Sequence, residues 1–403
     1  MRIWIVNHYA LAPSSAGGTR HYNFARLLQE KGHDVMIIAA NFNHLSHTMM
    51  VSDKKAGYLD TSYDVPFIWL PVPSYKGNTL ARFWNMIVFG WQVMQNKFLR
   101  SLDPPDVIVG SSPHLFAALG AERLAKRFKK PFILEIRDLW PESLVDLGRF
   151  THKHPLIKMM KWIESHLYKK ANKVISLLPN ANPYLIERGV KPTDIVWLPN
   201  SVDVEKIPTL PEREKNKKFT VTYAGAHGVA NDLETVISAA KILEQQNLSQ
   251  HIRICLIGEG PEKLRLQQMA KNANLTMIEF MDAVPKNAIY SVLNNADVFL
   301  MLLKDSPVFR WGISPNKLFD YLIMQRPVIF GVNTPFNPID SHRAGISVKP
   351  GDAAALASAI HQLSLTSPDE LNAMGMRGKA FVMQNHYLPN LTNQLENLFQ
   401  QFN

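Results

Sequence analysis

Short apolar runs recur along the chain, separated by longer stretches in which apolar positions return every three or four residues. The runs at 2–7, 35–40, 67–71, 106–110, 131–136, 173–178 and 195–199 predict buried strands, and residues 19–31 predict a helix closed by Gly32. The alternation restarts with predicted strands at 219–224, 252–257, 276–280, 296–302 and 328–331. Short apolar strands alternating with helices build mostly parallel sheets covered on both faces. Residues 206–218 separate the two series. They are rich in proline and charge and lack periodicity, so they read as a linker. The expected fold class is α/β, with two doubly wound, Rossmann-like domains in tandem and a cleft as the natural ligand site. Residues 1–205 form the first domain and 206–379 the second. The helical pattern at 369–401 continues as a helix at 380–403 that packs back across the first domain.

The most informative stretch is 312–329. Ser314 suits an N-cap and Pro315 the first helical position. Leu318, Tyr321, Leu322 and Met324 give an apolar face, and Gln325-Arg326-Pro327 stops the helix before a strand. Such a helix start offers unpaired N–H groups and the positive end of a dipole, around Ile313, Ser314, Pro315 and Asn316. Arg310 and Lys317 add charge there, and Asp320 stands where it can accept from a sugar hydroxyl. Phosphate donors beside a carboxylate suggest a nucleotide or nucleotide-sugar site, with an ordinary capped helix as the alternative.

Charge changes the picture because it is uneven. Residues 1–200 hold 25 Lys+Arg against 15 Asp+Glu, whereas residues 201–403 hold 19 of each, so the net charge of +10 belongs to the first half. A basic half suits an anionic partner, namely membrane phospholipid, a polyphosphate-bearing substrate or nucleic acid, with a soluble basic surface that has no partner as the alternative. No recognition-helix or zinc-module pattern speaks for nucleic acid. The single cysteine, Cys255, lies in a predicted strand and reads as core packing. No window is apolar enough to span a bilayer, and the start of the chain does not read as a secretory signal, so a cytoplasmic protein is expected. Two stretches fit a membrane surface. Residues 82–91 are bulky and apolar, and residues 153–173 interleave Lys158, Lys161, Lys169, Lys170 and Lys173 with Trp162 and aliphatic residues. Each also reads as a core helix with a solvated face.

Further turns carry candidate chemistry. Gly17-Gly18-Thr19-Arg20 lets backbone N–H groups approach a phosphate or sugar, but lacks the spacing of a dinucleotide fingerprint. Arg137 and Asp138 end a predicted strand beside Trp140, a combination that suits sugar recognition; the alternative is an Arg137–Asp138 ion pair. Pro199-Asn200 makes a turn before the linker. In the second domain His227-Gly228 and Gly258-Glu259-Gly260 are strand-to-helix turns able to present backbone donors, with Lys263 adding charge.

These residues carry a family resemblance over nearly the whole chain. Gly17-Gly18-Thr19-Arg20, Gly32-His33-Asp34-Val35, Arg137-Asp138-Leu139-Trp140-Pro141-Glu142-Ser143, Pro199-Asn200-Ser201-Val202-Asp203, Gly258-Glu259-Gly260-Pro261 and Ser314-Pro315-Asn316-Lys317-Leu318-Phe319-Asp320-Tyr321 resemble the family-4 glycosyltransferases of the GT-B fold. More narrowly they resemble the WbuB-type L-fucosamine (N-acetylfucosaminyl) transferases of bacterial surface-polysaccharide assembly. The resemblance implies retaining, metal-independent hexosyl transfer from a UDP-sugar donor, with no cofactor. The second domain is then expected to hold the nucleotide and the first the acceptor. Asp320 matches the second acidic position of the family's E-x7-E element, expected on the ribose. The first falls at Gly312, where no carboxylate is available. The Arg and Lys that many members carry after the first strand of the second domain fall at Ala226 and near Asn231, so Lys263, Arg310, Lys317 and helix-start N–H groups are expected to replace them.

The expectation is transfer of an N-acetylated deoxy-aminosugar to a polyprenyl-diphosphate-linked sugar, in O-antigen or capsule assembly, on the inner face of the cytoplasmic membrane. Arg310 and Lys317 stabilise the leaving group, and Asp138 stands near the acceptor. A UDP-N-acetylhexosamine 2-epimerase on the same fold and a non-catalytic nucleotide-sugar-binding scaffold are the rival readings.

Overall fold

The computed structural model describes residues 1–13, 19–51, 57–77, 80–210, 218–285 and 288–402. The chain divides into two compact units. Unit 1 comprises Met1–Asn200, Trp311–Ser314 and Leu388–Asn403; unit 2 comprises Ser201–Arg310 and Pro315–Tyr387.

The strands of unit 1 are β1 (Arg2–Val6), β2 (Asp34–Ala40), β3 (Phe42–Asn43), β4 (Thr48–Met49), β5 (Tyr58–Asp60), β6 (Phe67–Leu70), β7 (Val107–Ser111), β8 (Phe132–Ile136), β9 (Lys173–Ser176) and β10 (Ile195–Trp197). Among the described residues eight of them form one sheet in the order β10-β9-β8-β7-β1-β2-β6-β5. All its pairings are parallel except β5 with β6 at the edge. Strand alternation sorts the side chains onto two faces. Trp4, Val6, Ile38, Ile68 and Ile108 enter one core, which helices Leu80–Gln95, Leu115–Phe128 and Pro155–Lys170 cover. Ile3, Ile5, Val35, Ile37, Phe67 and Val109 enter the other, covered by helix Arg20–Glu30 and by helix Leu388–Gln400. The final helix contributes Leu388, Leu391, Leu395, Leu398 and Phe399, a spacing that puts them on one helical face. Its Glu396 accepts from Lys31 Nζ at 2.8 Å and bonds His33 Nε2 at 2.9 Å.

Unit 2 contains β11 (Phe219–Ala224), β12 (Ile252–Ile257), β13 (Ile278–Met281), β14 (Val298–Leu302), β15 (Val328–Gly331) and β16 (Gly345–Ser347). Its sheet runs β13-β12-β11-β14-β15-β16, with every pairing parallel. Both units therefore have the doubly wound, Rossmann-like α/β architecture expected from the alternation of apolar runs. In each sheet the loops after the strand C-termini share one edge, where such folds bind ligands.

Local expectations needed adjustment. The helical pattern at 369–401 is two helices, Pro368–Asn385 and Leu388–Gln400, separated at His386-Tyr387. The edge strands β5 and β16 and the β3–β4 hairpin were not expected; three or fewer residues per strand leave too little alternation to read. Residues 211–217 of the expected linker lie outside the described residues.

Phe399 is completely buried in the unit 1 core although it lies four residues from the end of the sequence. Phe399→Ala is expected to lower stability by about 3–5 kcal/mol, read by urea denaturation. A loss below about 1 kcal/mol would show that the last helix is a surface appendage rather than part of the core.

Candidate functional site

In unit 2 the key helix spans Asn316–Ile323. Tyr321 fixes it to the end of β11: its hydroxyl donates to Ala224 O and accepts from Ala224 N, both at 2.8 Å. The Tyr321 ring stacks on Phe299 of β14 at 4.4 Å. This clamp sets the first turn of the helix beside the loop that follows β11. There Lys317 Nζ donates to Asn231 Oδ1 at 2.6 Å and to Tyr223 OH at 3.2 Å, and lies 4.6 Å from the centre of the Tyr223 ring. Asn231 in turn donates to Ala226 O. The ammonium has no carboxylate partner among the described residues. Burial alone pushes its pKa down, to about 7. A cation deprived of water and given no counter-ion is a site for an anion.

Other expected groups are placed differently. Ser314 is not the helix cap. Pro315 occupies that position without a side-chain cap, and the Ser314 hydroxyl accepts from Asn200 N at 3.0 Å within unit 1. Asn200 Nδ2 also donates to Ser314 O. Asn316 opens the helix at an exposed position, and Ile313 is half-buried. Lys263 is not available to a phosphate: Glu259 Oε1 and Asp282 Oδ1 accept from its Nζ at 2.6 and 2.7 Å, and these bonds raise its pKa. The turns at His227-Gly228 and Gly258–Gly260 were expected to aim donors at a ligand. Instead they bind each other. His227 N donates to Glu259 O and Glu262 N to His227 O, while Gly258 N donates to Met281 O. A Cβ on Gly258 would overlap Gly225 O, so glycine there serves a close backbone approach. The His227 ring is buried, and neither nitrogen has a close hydrogen-bond partner among the described residues.

Arg310 lies in the turn Pro307–Trp311 and donates to Pro307 O at 2.8 Å. Asp320 Oδ1 accepts from Tyr290 OH at 2.8 Å, a bond that orients the carboxylate. Gly312 has φ +92°, and a Cβ there would come within 2.5 Å of Pro179 Cγ. Trp311 O accepts from Asn180 N, and the Trp311 ring meets Tyr184 edge-on. The missing glutamate at 312 therefore has a steric cause: no side chain fits.

In unit 1, Gly17 and Gly18 lie outside the described residues. Arg20 is buried and fully engaged. It donates to Glu135 Oε2 at 3.3 Å, to Leu198 O at 2.8 Å and to Pro199 O. Glu135 also meets His21 Nε2 at 2.8 Å and Ser111 Oγ at 2.9 Å. Burial opposes the Glu135 charge, but Arg20 and His21 hold its carboxyl well below the usual range. Arg20 thus orders the 198–200 turn rather than reaching a ligand.

Arg137 and Asp138 follow β8 and do not pair with each other. Both line a cavity of about 310 Å³, with Tyr9, Leu11, His44 and Arg82 among the other walls. Crowding by protein raises the Asp138 pKa, and the Arg137 charge opposes the rise. The residue as a whole is nonetheless exposed to solvent. His44 is pushed down to about 4, first by burial and then by Arg82 and Arg137. Tyr9, His44 and Arg82 escaped the sequence reading because they come from three separate loops and helices with no shared motif.

Comparison with known proteins matches this geometry. Residues 16–201 match the glycosyl transferase 4-like domain, and residues 218–365 match glycosyl transferases group 1. The chain is a glycosyltransferase. It is 25% identical over 278 residues, 65% of this chain and 67% of the relative, to the putative colanic acid biosynthesis glycosyl transferase WcaI of Escherichia coli K12. Among solved structures, sucrose-phosphate synthase from Thermosynechococcus elongatus superposes with a TM-score of 0.74 at 16% identity, covering 99% of this chain and 98% of the other. Anabaena HepE in complex with UDP-glucose gives 0.67 at 11% identity, with full coverage of both chains. The fold of this glycosyltransferase is GT-B.

Placing a glutamate at 312, as the family element has it, should harm rather than help. Gly312→Glu is expected to lower stability by about 1–3 kcal/mol and to give no gain in turnover. A faster and equally stable variant would show that position 312 faces the donor sugar.

Proposed function

We propose that this glycosyltransferase moves an N-acetylated deoxy-aminosugar of the L-fucosamine type from UDP to a lipid-diphosphate-linked sugar, with retention at the anomeric carbon and without a metal. The reading places it in surface-polysaccharide assembly of the O-antigen or capsule kind. The similarity to WcaI, a putative colanic acid enzyme, supports the polysaccharide setting. HepE, solved with UDP-glucose, supports a UDP-sugar donor.

The observation that carries the proposal is the desolvated, unpaired ammonium of Lys317 on the first turn of helix Asn316–Ile323. As the bond from the anomeric carbon to the UDP oxygen breaks, negative charge grows on the diphosphate. Lys317 and the helix-start N–H groups meet that charge, with Arg310 as a second cation. Lys317 also bonds Asn231, near which many family members carry the lysine of their phosphate pair. Asp320, oriented by Tyr290, is assigned the ribose, and Asp138 the acceptor hydroxyl.

Membrane contact fits two helices of unit 1. Helix Leu80–Gln95 exposes Trp84 and Trp91 (58% and 55%), and helix Pro155–Lys170 exposes Trp162 (65%) amid Lys158, Lys169 and Lys170. Among the described residues no helix is long and apolar enough to cross a membrane. Exposed tryptophans on both helices, with lysines around Trp162, suit a peripheral position on the anionic inner face of the cytoplasmic membrane.

UDP release from a UDP-sugar plus a polyprenyl-diphosphate sugar tests the reaction. Lys317→Met is expected to lower turnover by about a hundredfold, in line with loss of a leaving-group donor, whereas Lys263→Met changes it by less than about threefold. Undiminished turnover in Lys317→Met would remove the leaving-group assignment. The pH dependence has a definite sign. Lys317 is charged below about 7 in the free protein, and the diphosphate binds the charged form. The affinity for a UDP-sugar, whose own charge is constant in this range, should therefore fall as pH rises above about 7. Calorimetry showing affinity constant or rising from pH 6.5 to 9 would contradict it.

A further inference from the structure

The Pro199-Asn200 turn has no part in the chemistry derived so far, yet a buried ion pair holds it in place. Arg20 and Glu135 are both buried, and Arg20 donates to Leu198 O at 2.8 Å and to Pro199 O. Glu135 is itself held by His21 Nε2 and Ser111 Oγ. A buried ion pair adds little net stability, but its directional bonds define geometry. What this network presents is Asn200, which is also buried. Two donors of that one residue close on one serine. Asn200 N donates to Ser314 Oγ at 3.0 Å, and Asn200 Nδ2 donates to Ser314 O at 2.6 Å. Ser314 ends the segment Trp311–Ser314, which packs as part of unit 1. The rest of that segment is held as well, by the bond from Asn180 N to Trp311 O at 3.0 Å and by the close approach of Gly312 to Pro179.

The residues that follow carry the leaving-group chemistry. Pro315 precedes helix Asn316–Ile323, and Lys317 lies in its first turn. The helix start has no side-chain cap, and uncapped helix ends fray. Tyr321 anchors the next turn to Ala224, so the chain on that side of Lys317 is fixed. On the other side the chain is fixed at Ser314, by Asn200. We infer that Asn200 is a positioning residue for glycosyl transfer: by holding Ser314 it sets the backbone that aims Lys317 and the helix-start N–H groups at the departing diphosphate. Preorganised charge stabilises a transition state only where it is held in register, and a misplacement of about 1 Å can cost on the order of a hundredfold in rate. Arg20 and Glu135 act one step further back, by presenting the turn. The inference rests on the reading of Lys317 given above and adds what holds it.

Calorimetry with UDP on the full chain tests it in a double-mutant cycle. Asn200→Ala is expected to weaken UDP by about tenfold in the otherwise unchanged protein. In the Lys317→Met background the same change should cost about threefold or less, because no lysine remains to be misplaced and only the helix-start N–H groups are disturbed. Ser314→Ala, which removes the acceptor of Asn200 N, should weaken UDP in the same direction and with the same dependence on Lys317. Asn200→Ala should also raise the titration midpoint of the Lys317 ammonium above the value of about 7, as water reaches a loosened first turn. A role confined to stability moves neither the coupling nor the midpoint. UDP affinity within twofold of the unchanged protein in a folded Asn200→Ala variant, an equal loss in both backgrounds, or an unmoved midpoint would overturn the inference. Circular dichroism establishes folding; if Asn200→Ala is unfolded, Ser314→Ala carries the same cycle and the same criteria. The two readings fail differently. Undiminished UDP binding in Lys317→Met contradicts the leaving-group assignment itself. Weakened binding in Lys317→Met, with Asn200→Ala and Ser314→Ala unaffected, overturns the positioning role alone.

Discussion

An ammonium group drawn out of water and left without a carboxylate is the constraint on which unit 2 turns. Desolvation disfavours a charged lysine, and a fold tolerates one only if neutral hydrogen bonds hold it or an incoming anion stabilises it. Lys317 has the first in Asn231 and Tyr223, and its chemistry asks for the second. Its position follows from Tyr321, whose hydroxyl closes on both backbone groups of Ala224 and thereby fixes the helix start against the end of β11. Lys263 illustrates the opposite arrangement. Flanked by Glu259 and Asp282, it is fully compensated and serves the turn rather than a ligand.

Unit 1 uses charge in two ways on one sheet edge. Under the strand ends, Glu135 pairs with Arg20 and His21 in a closed network that orders the 198–200 turn. Just beyond the end of β8, Arg137 and Asp138 line a cavity, and their side chains make no hydrogen bond or ion pair among the described residues. The first set is structural because its donors and acceptors match one another; the second is left open. The same logic explains Gly312. The segment Trp311–Ser314 belongs to unit 1, held by Asn180 and Asn200, and lies against Pro179 so closely that only glycine fits. Packing thus leaves no room at 312 for the carboxylate that the family pattern expects.

The fold was legible because its signals are local. Apolar runs such as Ile252–Ile257 flanked by amphipathic helices specify buried parallel strands without knowledge of their neighbours. The site was only partly legible. Lys317 stood out through its place after Ser314-Pro315-Asn316, yet the same run suggested a Ser314 cap that the structure replaces with a bond to Asn200. Lys263 read as a free cation because the carboxylate of Asp282, nineteen residues away, is brought to it only by the sheet. Arg20 read as a ligand contact because the carbonyls it binds lie far along the chain at 198–199. Tyr9, His44 and Arg82 meet through tertiary structure alone. Sequence spacing therefore identified which groups were capable of chemistry, while partner geometry decided which of them remain available for it.

The central claim is that Lys317 is a desolvated cation awaiting a diphosphate. The direct measurement is the titration of its ε-ammonium by carbon-detected nuclear magnetic resonance on lysine-labelled protein, with Lys317→Met for assignment. The account predicts a midpoint near 7 in the free protein, moving upward when a UDP-sugar is added. A midpoint near the ordinary lysine value of about 10.4, unmoved by the UDP-sugar, would contradict it.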